Sequence, residues 1–336
     1  MRLAPLGLLV VLLLSSCSDN LPRSTLNPVG ENAQTIDDLF RLTLAIAAVF
    51  FVGVNGAVVY AAIRYRARKN DDTEPKQIHG NDTLEITWTV IPALILATIA
   101  VPTVRTIFEL AEEPPNALQV EVIGHQWWWE YRYPELGVVT ANELWIPTDQ
   151  PVFLSMTTDD EDVIHSFWIP NLNGKRDVVP GRVNTLTVSA PEPGVYLGQC
   201  AEFCGLSHSQ MRMTVHAAEP ADFDAWVDQQ LAPGDVDENS AGWGLFLDKG
   251  CSACHAIGGT TAEGGGLNPG PDLTHIGSRS TFAGASFELT TENLKAWLRN
   301  PSDLKPMRPD SNRGMPNLGL NEDEIDTLVA FLQDLK

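Results

Sequence analysis

The feature that most limits how this chain can fold is a pair of long uncharged runs near its N-terminus. Leu42 to Ile63 carries no charged side chain, and neither does Ile86 to Val104. Runs of that length match the hydrocarbon thickness of a bilayer, where a helix satisfies every backbone polar group within itself. Pro92 and Pro102 interrupt the second run, which membrane helices tolerate when neighbouring groups bond the freed carbonyls. Between the runs lies RYRARK, with Arg64, Arg66, Arg68 and Lys69. The bias of basic residues toward the cytoplasm places that connection inside. Both ends of the hairpin then face outward, and everything after residue 110 is expected outside the cytoplasm. Glu85 stands at the cytoplasmic mouth of the second run, where a carboxylate either marks an ion path or serves as an interfacial charge.

The extreme N-terminus supports the same direction. MRLAPLGLLVVLLLSSCS has one positive charge, an apolar centre and small residues before a cysteine, the pattern of a secretory signal over residues 1–16. Leu14-Ser15-Ser16-Cys17 resembles a bacterial lipobox, whose cleavage leaves a lipid-modified Cys17. Acidic residues outnumber basic ones, 43 against 22. That balance disfavours nucleic acid as a partner and favours basic ones at low ionic strength.

From Ala117 to Ala217 the pattern changes to short runs rich in β-branched and aromatic residues, among them LQVEVIGHQWWW, DVIHSFWI and GVYLGQC. Turn-forming clusters separate them, which predicts a β-sandwich or barrel. On one connection sits QCAEFCGLSHSQM, with Cys200, Cys204, His208 and Met211. Thiolate, imidazole and thioether are the ligands of copper electron-transfer sites, and His165 on an earlier predicted strand can complete the set. A zinc site would favour C-x-x-C pairs and no methionine. A disulfide between Cys200 and Cys204 would leave His208 and Met211 unexplained. Two thiolates, unlike one, can bridge two copper ions.

A polar, turn-rich stretch at residues 231–241 reads as a linker, and CSACH follows. C-x-x-C-H is a c-type haem attachment sequence, with Cys251 and Cys254 bonded to the haem and His255 on the iron. Methionine is a common opposite ligand. Met315, in GMPNLGL, is favoured over Met307, in KPMRPD. Asn321 and Glu324 form a capping-box pattern ahead of an apolar stripe, Ile325, Leu328, Val329 and Leu332. With Cys17 lipidated, these assignments use all five cysteines, and no disulfide is expected.

The motif C-x-E-x-C-x-x-x-H-x-x-M at Cys200–Met211, together with GHQWWWEYRY and KRDVVPGR, resembles cytochrome c oxidase subunit II and its binuclear copper A site. The resemblance spans roughly residues 35–228. It implies that His165, Cys200, Cys204, His208, Met211 and the backbone carbonyl of Glu202 hold copper A. It also implies that the Glu202 carboxylate helps bind magnesium against subunit I. Trp127 matches the aromatic residue over which electrons arrive in relatives with a separate cytochrome c. Glu85 matches the carboxylate at the mouth of a proton channel shared with subunit I. GPDL, residues 270–273, resembles the class I cytochrome c segment whose proline carbonyl, here on Pro271, accepts a bond from the axial histidine.

The expected architecture is a two-helix transmembrane hairpin, an all-β cupredoxin-like sandwich and an all-α class I cytochrome c domain. Its boundaries are 1–16, 17–110, 111–230, 231–241 and 242–336. A copper A subunit carrying its own cytochrome c resembles subunit II of a caa-type haem–copper oxidase. That likeness implies a bacterial cytoplasmic membrane, with the copper and haem domains outside. The implied partners are subunits I and III and a cytochrome c or another membrane donor. The implied role is to pass electrons through haem c and copper A to haem a, for oxygen reduction coupled to proton pumping. The alternative is the electron-input subunit of a copper A-containing nitric oxide reductase. A copper-trafficking protein is disfavoured, because it needs no haem.

Overall fold

The computed structural model describes residues 21–66, 77, 79–148, 150–158, 163–262, 270–308 and 313–336. The expected signal segment with Cys17, the basic residues Arg68 and Lys69, and an acidic run at 159–162 lie outside the described residues. The chain divides into two compact units. One is the helical segment Gln34–Glu112; the other combines residues 1–33 with Glu113–Lys336.

Helices α1 (Glu31–Arg64) and α2 (Asp82–Ala111) contain the two uncharged runs, and both are long and apolar enough to cross a membrane. Asn81 caps α2 by accepting a hydrogen bond from Leu84 N at 3.1 Å, satisfying one of the orphan donors of the first turn. Pro92 and Pro102 sit inside the helix as expected. Thr98 and Thr103 satisfy their hydroxyls by donating back to Leu94 O and Ile99 O within the helix. Glu85 lies in the first turn of α2 and is exposed.

The second unit begins as a sandwich of ten strands: β1 (Leu118–His125), β2 (Trp128–Tyr133), β3 (Val138–Ala141), β4 (Glu143–Pro147), β5 (Val152–Thr158), β6 (His165–Trp168), β7 (Arg176–Val178), β8 (Asn184–Val188), β9 (Gly194–Cys200) and β10 (Arg212–Ala218). One sheet runs β3-β2-β1-β5-β8 and the other β4-β10-β9-β6-β7. The alternation expected of strands with one buried face is clearest in β5, where Val152, Leu154, Met156 and Thr158 point inward. Trp129, Tyr131 and Tyr133 of β2 fill the core. The Tyr133 hydroxyl donates to Trp145 O at 2.8 Å and accepts from Trp145 N at 3.0 Å, so a large buried ring keeps its polar end satisfied. Helix α3 (Pro220–Leu231) closes the domain through Phe223, Trp226 and Val227.

Beyond it lie α4 (Ala241–Asp248), a hairpin of β11 (Thr281–Phe282) and β12 (Phe287–Glu288), α5 (Thr291–Arg299), α6 (Pro301–Leu304) and α7 (Glu322–Asp334). The capping box at Asn321 and Glu324 is formed in both directions. The apolar stripe Ile325, Leu328, Val329 and Leu332 is buried, and each such side chain contributes about 2 kcal/mol. Trp243 and Phe246 of α4 meet Phe331 of α7.

Two features depart from the sequence reading. The domain is helical except for the small β11–β12 hairpin, whose tip residues Ala283, Gly284 and Ala285 have φ of 54°, 76° and 48°. The 231–241 stretch, expected as a linker, lies against the helical domain. Gly234 N donates to Gly258 O at 3.0 Å and His275 Nε2 to Ala232 O at 3.1 Å.

Candidate metal centres

Strand pairing assembles the first centre. Phe167 of β6 lies opposite Cys200, the last residue of β9, and this register brings His165 beside a cysteine 35 positions away. The chain then turns through residues 201–211 and returns as β10, antiparallel to β9. Cys200 N donates to Met211 O at 2.8 Å, closing the loop at its neck.

Within the loop the two sulfurs lie 3.8 Å apart, and both thiols are unbridged. His165 Nδ1 is 4.0 Å from the Cys200 sulfur, and His208 Nδ1 is 3.7 Å from the Cys204 sulfur. Met211 Sδ lies 3.7 Å from the Cys204 sulfur, and the Glu202 carbonyl 3.3 Å from the Cys200 sulfur. The ligand atoms of His165, Cys200 and Cys204 all fall within 4.8 Å of one another. The structure therefore brings together all six expected donors, with one imidazole for each sulfur. The hydrogen bond from Cys204, and then that from His165, hold the Cys200 thiol well below the ordinary thiol range despite burial. Soft sulfur and imidazole donors suit copper over hard cations. The Glu202 carboxylate is exposed and accepts from Phe203 N at 3.1 Å.

The loop rests on the aromatic motif. Gln126 Nε2 and Trp127 Nε1 both donate to Cys204 O, at 2.6 and 2.9 Å. Gly205, at φ +112°, passes directly over them: a Cβ there would lie 3.0 Å from Gln126 Nε2 and 3.1 Å from Trp127 Cζ2. Glycine meets both demands, a left-handed backbone and a close approach. Trp127 is only 4% exposed.

The second centre lies in the helical domain. Cys251 and Ala253 bound a short 3-10 turn, and His255 follows. His255 Nδ1 donates to Pro271 O at 2.8 Å, which orients the ring and leaves Nε2 as the ligating nitrogen. Gly270 hugs the same ring; a Cβ there would sit 2.6 Å from His255 Cε1. Burial lowers the His255 pKa, which favours the neutral, metal-binding form. These residues fit covalent haem attachment. Met315 packs in this domain's core and accepts from Trp297 Nε1 at 3.1 Å. Met307 packs instead against the core of the sandwich.

Some residues at these centres have no local sequence signal. Gln126 is one. Lys305, 3% exposed, is another: its ammonium donates to Trp127 O at 2.7 Å and Ala283 O at 2.8 Å, and burial lowers its pKa to about 7. Glu143 is a third, 4% exposed, its Oε1 accepting from Ser280 N and Oγ and from Thr281 N and Oγ1.

Comparison with known proteins agrees along the chain. Residues 28–106 match the cytochrome c oxidase subunit II transmembrane domain, residues 137–218 its periplasmic domain, and residues 240–336 cytochrome c. Cytochrome c oxidase subunit 2 of Alkalihalophilus pseudofirmus is 37% identical, covering 100% of this chain and 97% of its own length. That of Bacillus subtilis is 36% identical over 100% and 98%. The solved periplasmic domain of subunit II of cytochrome oxidase from Bradyrhizobium japonicum is 29% identical, covering 35% of this chain and 95% of its own, with a TM-score of 0.33. The two apolar helices thus belong to a membrane protein whose soluble domains lie outside, and the chain is a member of the cytochrome c oxidase subunit II family with a fused C-terminal cytochrome c domain.

Proposed function

We propose that this subunit receives electrons on its fused cytochrome c domain and passes them through a binuclear copper centre to haem a of subunit I, where oxygen is reduced to water with proton pumping. The observation that carries this reading is the loop that gathers Cys200, Cys204, His208, Met211 and the Glu202 carbonyl around His165. Copper A and haem c, when bound, would supply one-electron carriers. The chain's own part is to hold their ligands rigid. Gln126 and Trp127 pin the Cys204 carbonyl, Pro271 fixes the His255 ring, and the buried sandwich excludes water from both thiols.

Cys251 and Cys254 would carry the haem through thioether bonds, and His255 and Met315 would ligate its iron. The exposed Glu202 carboxylate would help hold magnesium against subunit I, and Glu85 would lie at the mouth of a proton channel. Subunit III and a cytochrome c or another membrane donor complete the assembly. Lipidation at Cys17 adds an anchor to the two spans.

The test is to purify the native complex and measure copper, haem types and oxygen uptake together. Two coppers and one haem c per chain, a mixed-valence copper spectrum and oxygen consumption are expected. Cys200→Ser should abolish that spectrum or leave a mononuclear site. One copper per fully reconstituted wild-type chain would refute the bridged pair. Reduction of nitric oxide in place of oxygen would move the chain to the alternative reading.

A further inference from the structure

The helical domain does not hang freely on its connection. Its β11–β12 hairpin tip and the residues after α6 are seated on the copper loop and on Trp127. Lys305 joins Trp127 O to Ala283 O. Ser207 Oγ donates to Pro306 O, and Gln210 Nε2 to Leu304 O at 2.9 Å. Arg212 N donates to Gly284 O at 2.9 Å, and Ser286 Oγ to Gln210 O at 2.7 Å. A second contact lies on β4, where Glu143 takes four donors from Ser280 and Thr281.

Gly284 marks how close the approach is. A Cβ there would lie 2.6 Å from Lys305 Nζ, 2.8 Å from Trp127 O and 2.9 Å from Gln210 O. The three tip residues all have positive φ, two of them alanines. Such backbone is costly outside glycine and persists where surrounding contacts over-determine it. Buried charged groups are likewise tolerated when their hydrogen bonds are met, and both Lys305 and Glu143 meet theirs only partly within their own domain.

We propose that Lys305 and Glu143 are positioning residues that lock the cytochrome c domain onto the copper domain around Trp127. Electron delivery then occurs inside a pre-docked pair, and Trp127 is closed to a separate donor protein. The function of the lock rests on the electron-transfer reading above; the docking itself does not. A tethered domain that had to find its site by diffusion would show neither a buried lysine shared between the two domains nor a glycine wedged among three of their atoms.

The experiment uses the full-length subunit in its purified complex. Amide hydrogen exchange reads Ser280, Thr281 and Arg212, whose N–H groups bond across the junction. In the wild type these amides should exchange slowly. Electron transfer from photoreduced haem c to copper should be independent of solvent viscosity. Lys305→Met, and Gly284→Val as a wedge that removes no polar group, should each raise exchange at Ser280 and Thr281 about tenfold or more. Both should make the internal transfer slower and viscosity-dependent, while the copper and haem spectra stay unchanged, a split that loss of folding would not produce. Fast exchange of the wild-type amides, or a viscosity-dependent wild-type rate, would overturn the proposal; so would variants indistinguishable from wild type in both readouts. If Lys305→Met fails to assemble, the wild-type measurements decide alone. A complex without copper or haem c refutes the electron-transfer reading instead, and the exchange data still decide the docking.

Discussion

Gly205→Ala probes how the copper loop is held. The backbone at Gly205 has φ +112°, a region where a non-glycine residue costs about 1–3 kcal/mol. The new methyl would also press on Gln126 and Trp127 at 3.0 and 3.1 Å. Relief requires moving at least one of the two donors off Cys204 O, at about 1 kcal/mol for a neutral hydrogen bond. The combined penalty is about 3 kcal/mol. Without copper the loop can relax away from the aromatic shelf, so most of this cost should appear when copper binds. Affinity should fall about a hundredfold. Competition with a chelator on the purified full-length protein, followed by copper charge-transfer absorption, measures it. Melting of the copper-free sandwich should change less than copper affinity, because the loop can then relax off Gln126 and Trp127. Wild-type affinity with an unaltered spectrum in Gly205→Ala would show that Gln126 and Trp127 do not position the Cys204 ligand.

The remaining predictions concern the haem domain and the junction. Met315→Leu should abolish the sulfur-to-iron absorption band of the oxidised haem and lower its reduction potential, whereas Met307→Leu should leave both unchanged; the opposite pattern would exchange the two roles. Glu143 has its pKa lowered from 4.5 to about 2: burial pushes it up, and His216, Ser280 and Thr281 more than offset that. A depressed carboxylate contributes stability that is complete above pH 4.5 and is lost as pH falls toward 2, about 3 kcal/mol in all. Exchange at Ser280 and Thr281, corrected for intrinsic rates, should therefore rise through that window, and a flat profile would count against the shift. Asn321→Ala removes the α7 cap and should destabilise the cytochrome c domain by about 1 kcal/mol in denaturant titration, with no effect on the copper spectrum.

Much of the site was legible because its determinants are local. The loop 200–211 carries four candidate ligand side chains and a candidate ligand carbonyl on one short connection, and Cys251, Cys254 and His255 lie close together along the chain. Pro271 was legible only through resemblance, and the structure supplies its bond to His255. The resemblance singled out Trp127, but nothing local told that its backbone carbonyl would take a hydrogen bond from Lys305 of the second domain. The 231–241 stretch read as a linker from its polar, turn-rich composition, which cannot report which backbone groups will be bonded.

The sequence by itself determined the membrane hairpin, the alternating strands, the capped last helix and the two ligand motifs. Each depends on residues close enough along the chain for periodicity or spacing to encode it. Only the tertiary structure decided the pairings across long separations. His165 reaches Cys200 through the β6–β9 register, 35 residues apart. Glu143 meets Ser280 across 137 residues, and Lys305 meets the Trp127 carbonyl across 178. A lone glutamate and a lone lysine carry no local pattern. What makes them matter is burial against partners from another domain, where a charge must find hydrogen bonds or be excluded.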